Sequence, residues 1–288
     1  MNLKDDLEQC LKEWFSKLSV IVTPNLNAHG LLERFINTQA KLIKAKPRQV
    51  LESDVIGARR LDDGQTHALN ELRRKLQRGE NVCPHLNKGS MRIDFNDDLL
   101  NDWGIHHFHL SITKSDPSQF FFDRSGPVLF ARIESNKVFF IDIREHGSSG
   151  EPDVFAKQEL LDIMDRNWPD IAKPYILKGF GLPNALSDNQ IKKMRSSGIN
   201  VIVAINGKPL ASMGGGITTA GTNIMHTMKA DRMLHELLGC EEELKRLKTT
   251  LASSYYPPQN FDFKLEMQNG EFIVKQFPEG KVVNKFSI

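Results

Sequence analysis

Leu3, Leu7, Leu11, Trp14, Phe15 and Leu18 recur at helical spacing and predict an amphipathic helix over 2–18, with one stripe turned to a core. A second helix is expected over about 27–45, carried by Leu31, Leu32, Phe35, Ile36, Leu42 and Ile43 and stopped by Pro47. A third starts near Asp62-Asp63, good first-turn residues, and ends at Gly79. Residues 80–100, with Pro84, Asn87 and Gly89, follow no period. The pattern then switches to alternation. It predicts a strand at 105–112, a loop rich in Asp, Ser and Pro, and a hairpin over 127–146. In that hairpin Phe139, Ile141 and Ile143 should face a core, with Asp142, Arg144 and His146 on the other side.

A helix follows at about 155–167, before Trp168-Pro169, and residues 171–183, with Pro174, Gly179, Gly181 and Pro183, read as a connection. Another helix is expected at about 187–197. Val201–Ile205 and Leu210–Met213 flank Asn206-Gly207, a pair that accepts positive φ in a tight hairpin turn. After Gly214-Gly215-Gly216 a long helix should run from about Thr219 to Leu238, end at Gly239, and resume as a charged helix over 241–253 until Tyr255-Tyr256-Pro257-Pro258 breaks it. Phe261, Phe263, Leu265 and Met267 alternate with polar residues, Asn269-Gly270 turns, and strands at 272–277 and 282–286 complete a half-buried meander. The expectation is an α+β protein: a helical N-terminal region, a small central antiparallel sheet, and a C-terminal hairpin, long helix and β-meander. Loose boundaries divide it into 1–95, 96–183 and 184–288.

Composition narrows the classes. The 288 residues are 40% hydrophobic and 26% charged, an ordinary globular balance, and the net charge of +2 means that nucleic-acid binding would need a local basic surface. Arg59, Arg60, Arg73, Arg74, Lys75 and Arg78 offer one reading of such a surface. The interleaved Asp62, Asp63, Glu71 and Glu80 favour an ordinary solvated helix face. Cys10, Cys83 and Cys240 are an odd number, far apart in sequence, as suits a reducing cytosol rather than a disulfide scaffold. No apolar run reaches the roughly 18 residues that span a bilayer, and the N-terminus lacks a signal peptide's core, so a soluble cytoplasmic protein without membrane contact is expected.

Chemistry concentrates between Asn101 and Gly147, which hold His106, His107, His109 and His146 of the chain's nine histidines. Alternation puts His107 and His109 on one strand face. If the strands share a sheet, one surface could collect His107, His109 and His146 with Arg132 or Arg144. Imidazoles titrate near neutrality and can move protons to and from a 2′-hydroxyl and a leaving oxygen, while a guanidinium fork suits a charged phosphorane-like transition state. The plainer reading is a set of locally satisfied strand histidines and surface-paired arginines. A second candidate is the stretch Gly214, Gly215, Gly216, Thr218 and Thr219, where small residues and free N–H groups at a helix start could hold a phosphate. Its spacing is neither a Walker motif nor a dinucleotide fingerprint, and a plain β-to-α turn with a Thr cap explains it equally. Asp231 and His235, four apart on the face of Ile224, Met228 and Leu238, read as a satisfied buried pair, with His226 exposed nearly opposite.

The hairpin Val128–Glu134 and Val138–His146, an apolar strand pair followed by a histidine, resembles the small sheet of the RelE-like toxin ribonucleases within the wider barnase–colicin–RelE class, over about 105–170. That resemblance implies metal-independent RNA cleavage in a bacterial toxin or antiviral-defence setting, with no cofactor and an inhibitory protein partner. His107-Phe108-His109 also matches the His-apolar-His strand of the HUH endonucleases, which implies a divalent metal, DNA as substrate and a tyrosine nucleophile. The chain's tyrosines, Tyr175, Tyr255 and Tyr256, all sit beside prolines. His109-Leu110-Ser111-Ile112 resembles one half of the two-histidine phosphoesterase signature, without a second copy. The leading expectation is a nuclease acting on RNA rather than DNA. The alternatives are the metal-dependent endonuclease or a non-catalytic nucleotide- or phosphate-binding effector.

Overall fold

Most of the periodic stretches become the expected elements, but they assemble in an order that no local pattern records. The computed structural model describes residues 1–18, 26–146, 150, 152–181, 185–254 and 262–287, with only the backbone given for 251–254. In chain order the elements are α1 (Leu3–Lys17), α2 (Ala28–Lys41), β1 (Gln49–Glu52), α3 (Asp63–Arg78), α4 (Asp98–Trp103), β2 (Ile105–His109), β3 (Pro127–Ile133), β4 (Lys137–Glu145), α5 (Glu159–Asn167), α6 (Pro169–Ala172), α7 (Asp188–Ser196), β5 (Val203–Ile205), β6 (Lys208–Leu210), α8 (Ile224–Ser254), β7 (Asp262–Gln268), β8 (Glu271–Phe277) and β9 (Lys281–Phe286). This is an α+β fold with N-terminal helices and a C-terminal meander. Gly147, Pro183, Phe261 and the break at 255–258 lie outside the described residues. No helix among the described residues is long and apolar enough to cross a membrane.

Two compact units replace the three consecutive segments. One joins Met1–Gln39, Met91–Asp94 and Met225–Ile288; the other joins Ala40–Ser90 and Phe95–Ile224. The reason is burial. The α1 stripe Leu3, Leu7, Leu11 and Phe15 shares its core with Leu31 and Phe35 of α2, Met233, Leu237 and Leu244 of α8, and Phe263, Leu265, Phe272 and Val274 of the meander. Residues from both ends of the chain thus close a single core. The expected stop at Gly239 does not occur, because α8 continues to Ser254 and buries Leu237, Cys240 and Leu244 on both sides of that glycine. A glycine inside a helix costs only about 1 kcal/mol, which this packing outweighs. The apolar face expected for α8 is also rotated. Met228 and Leu238 are exposed, His226 is buried, and Asp231 accepts from His29 at 2.9 Å instead of meeting His235.

The second unit is built on a four-stranded sheet of order β1-β4-β3-β2. It is mixed, because β1, unforeseen in the sequence, pairs in parallel with β4. The capping box of Asp62 and Gln65 starts α3, and Gly79 ends it at φ +74°, where a Cβ would lie 2.4 Å from the Pro47 nitrogen. The basic residues of α3 are largely spent on acids: Arg73 on Glu52, and Arg74 on Glu71 and Glu80. A bulge between Phe130 and Ala131 sets Phe130 opposite Asp142 and Ala131 opposite Phe140. The extra residue reverses the alternation along β4. Phe139 therefore shares a face with Arg132, while Ile143 pairs with Leu129 on the other face. Ile105, Val128 and Phe130 pack with Leu160, Met164, Ile191, Val203 and Leu210, so α5, α7 and the β5–β6 hairpin cover that face. Asn206 and Gly207 take positive φ in the hairpin turn, as their sequence implies.

One buried ion pair ties this layer together. Asp102 of α4 accepts from Arg195 Nε at 2.7 Å and from Ser212 Oγ at 2.6 Å, and the Arg195 guanidinium lies 4.0 Å from the Trp103 ring centroid. Arg195 also donates to the Phe155 carbonyl at 2.7 Å. Removing one partner of a buried pair strands the other charge, so Asp102→Ala should destabilise the unit by about 3–5 kcal/mol. The joint change Asp102→Leu with Arg195→Met should cost clearly less. Denaturant melts of the two variants check this, and equal losses would show that the charge pairing is not what Asp102 contributes.

Candidate functional site

β2 sets Ile105, His107 and His109 on one face, opposite Arg132, Phe130 and Val128 of β3. Phe130 and Val128 continue to Asp142 and Arg144 on β4. The sequence-level candidates thus do share a sheet face, yet only some of them meet. The His107 and His109 rings are 6.4 Å apart between centroids, and His109 and His146 are 5.1 Å apart. Phe155 stands over the group, 5.0 Å from His107 and 6.1 Å from His146. Arg132 is elsewhere: it faces Ile105, some four residues and about 13 Å along the strand from His109, and donates to the Trp103 carbonyl. Arg144 is engaged in structure, with Nε on Asp142 at 2.6 Å and Nη2 on Glu159 at 2.7 Å. The fully buried Asp142 is also gripped by Arg59, at 2.6 and 2.8 Å.

Each imidazole has its own setting. His109 is 3% exposed, the Ser125 backbone lies beside its ring, and among the described residues its buried Nδ1 meets no partner at full hydrogen-bond geometry. Burial, reinforced by His107, His146 and Arg124, pushes it down to about 4, so it is neutral at pH 7. His107 receives the Asn87 amide on Nε2 at 3.1 Å, which leaves its proton on Nδ1, 3.7 Å from Asp97. Burial lowers it too, against the pull of Asp97. His146 donates from Nδ1 to the Gly126 carbonyl at 2.8 Å and so presents Nε2. Beneath the strand, fully buried His85 donates from Nδ1 to the His109 carbonyl at 3.1 Å.

His109 forms part of the wall of a cavity of about 260 Å3, otherwise lined by Leu86, Asn87, Lys88, Ser115, Gln119, Phe122, Asp123 and Arg124. Sequence reading passed over Lys88 and Arg124. Both lie in irregular segments, where no period marks a side chain's direction. The available signal was that 113–124 is a long loop between paired strands, a usual place for functional residues. Among the described residues neither cation is ion-paired. No three of His, Cys, Asp and Glu gather as a metal-ligand set among the described residues.

The glycine stretch is used differently from the anion-site expectation. Gly214 N–H donates to the Asp102 carbonyl, Gly215 to Ser212, Gly216 to Asn101, and Thr218 to Thr222, while Ile217 N–H donates to the Asn200 side chain. All five N–H groups from 214 to 218 are thereby spent, and α8 starts only at Ile224, so Thr219 is not at a helix start. A Cβ on Gly214 would lie 2.1 Å from the Leu100 carbonyl oxygen. Glycine is required there for close approach to the end of α4.

No family model, curated protein or solved structure matches this chain.

Proposed function

We propose that the chain is a phosphodiester-cleaving enzyme acting on RNA, with its centre at His109, His146, Arg124 and Lys88. The observation that carries this is a nearly buried, neutral histidine in the wall of a cavity that is also lined by two cations without an ion-pair partner among the described residues, with a second imidazole 5.1 Å away. Arg124 and Lys88 hold the phosphate and offset the charge that grows on it. His109 takes the proton of the 2′-hydroxyl, and the 2′-oxygen attacks phosphorus. The bond from phosphorus to the 5′-oxygen breaks, and His146 in its imidazolium form, with protons on both ring nitrogens, delivers the Nε2 proton to that oxygen and is left neutral with Nδ1–H on the Gly126 carbonyl. The products are a 2′,3′-cyclic phosphate and a free 5′-hydroxyl. His107, held by Asn87 and close to Asp97, positions the strand and its neighbour rather than touching substrate. A cytoplasmic location belongs to the same reading and suits the free Cys10, Cys83 and Cys240.

Incubation of the protein with RNA in EDTA should therefore still yield cyclic-phosphate ends, and the matching DNA should stay intact. Activity lost in EDTA and restored by manganese would move the assignment to the metal-dependent alternative.

A further inference from the structure

The remaining walls of the His109 cavity share one chemistry. Phe122 supplies an aromatic surface and Leu86 an apolar one, while Asn87, Ser115, Gln119 and Asp123 supply hydrogen-bonding groups. Phe122 is itself held in place: the Lys75 and Lys114 ammonium groups lie 5.4 and 5.8 Å from its ring centroid, and the His85 ring packs against it at 4.7 Å. The loop over 113–124 is pinned through Asp123, which accepts from Ser115 Oγ at 3.0 Å and from Gln119 Nε2 at 2.8 Å, and whose N–H donates to the Thr113 carbonyl. The Ser115 backbone N–H, with the Gln119 amide and the Ser115 hydroxyl, holds the carboxylate below its ordinary range, so it is ionised at neutral pH. A site for phosphate alone would not place a carboxylate in its wall. A flat polar ring beside a phosphate would use the aromatic surface and the carboxylate together with the two cations.

We infer that the cavity takes one unpaired nucleobase of a single strand, with the adjoining phosphate at Lys88 and Arg124, and that Asp123 selects guanine. A carboxylate only accepts hydrogen bonds. Guanine, through N1–H and its 2-amino group, presents two adjacent donors on one edge. Adenine and cytosine each place an acceptor beside their amino donor. Phe122 gives the base a surface to stack on. His109, 3% exposed and neutral, stands in the same wall, where it can meet a polar occupant. This inference rests on the phosphodiester reading for the position of the phosphate.

The test uses short 2′-deoxy oligonucleotides, which the proposed reaction cannot cleave, so that binding is read apart from catalysis. Pentathymidylates with one central guanine, adenine or cytosine are titrated against the full chain by fluorescence anisotropy. The guanine oligomer should bind about tenfold tighter than the other two, the range a two-point base contact supplies. Hypoxanthine in place of guanine, lacking the 2-amino group, should lose most of that preference. Asp123→Asn should flatten the series, whereas Ser115→Ala, which loosens the loop but keeps the carboxylate, should preserve the order. Equal binding of all three bases, or a preference untouched by both hypoxanthine and Asp123→Asn, would overturn the inference. Guanosine 5′-monophosphate bound as tightly as the oligomer would overturn the assignment to a strand. Guanine preference in a protein that cleaves no RNA would uphold the base site while removing the catalytic reading.

Discussion

His109→Ala should lower RNA cleavage by about a thousandfold, within the range that positioned acid–base groups contribute, while the melting temperature stays nearly constant. The ring is buried but its Nδ1 has no hydrogen bond of full geometry among the described residues, so deleting it removes a poorly satisfied polar atom along with some packing. The bond from His85 reaches the His109 carbonyl and survives the change. Arg124→Ala should cost about a hundredfold through loss of charge stabilisation. Arg132→Ala should change the rate little, because that guanidinium lies at the Trp103 end of the sheet. The pH profile adds a signature. A base held neutral down to about 4 keeps the free enzyme competent well below the usual imidazole range, so the acid limb of kcat/KM should fall near pH 4. Bound phosphate brings negative charge beside the ring and should move the limb of kcat upward. A variant that melts early and retains its specific rate would instead make His109 structural.

Acidification from pH 6.5 to 4 should remove a large part of the stability of the second unit. His85 and His109 are each pushed down to about 4, chiefly by burial, from an unfolded value near 6.5. Between those limits the unfolded chain binds more protons than the folded one. The contribution is therefore complete above pH 6.5, falls as the pH drops, and levels off below 4. Each histidine accounts for roughly 3 kcal/mol across the window. His106 and His107 are lowered by burial as well and add in the same direction. The carboxylates of Asp54 and Glu71, held near 2 by Arg166 and Arg74, stay ionised in the folded chain while the unfolded chain begins to take up protons there, so they add to the fall at the acid end of the window. Asp98 and Asp162, raised by burial, oppose it at the acid end. Urea midpoints measured at half-unit steps should show the fall, and His85→Phe should flatten it by about one histidine's share. A midpoint constant from pH 7 to 4.5 would mean these rings are solvated.

The nuclease candidates show where sequence reading succeeds and where it stops. His107 and His109 share a face because a strand repeats every two residues, and any strand pairing preserves that. Arg132 and Arg144 carry the same alternation, yet one lies too far along its strand and the other is consumed by Asp142 and Glu159. The bulge near Phe130 and the partners of a buried carboxylate are decided between strands, not within them. Arg124 and Lys88 were invisible for the opposite reason: their segments have no repeat, so only the folded loop brings them to His109.

What the sequence determined by itself was local. The stripe of α1, the capped run of α3, the Asn206-Gly207 and Asn269-Gly270 turns and the alternation of the meander all follow from backbone sterics and burial of one face. The tertiary structure decided which of these elements share a core. It brought the chain's two ends together in one unit and laid β1 in parallel beside β4. It ran α8 through Gly239 and spent the Gly214 and Gly216 N–H groups on the end of α4. Each outcome depends on contacts between residues far apart in the chain. There the free energy of burying apolar surface and pairing buried polar groups exceeds the small local preferences that a sequence displays.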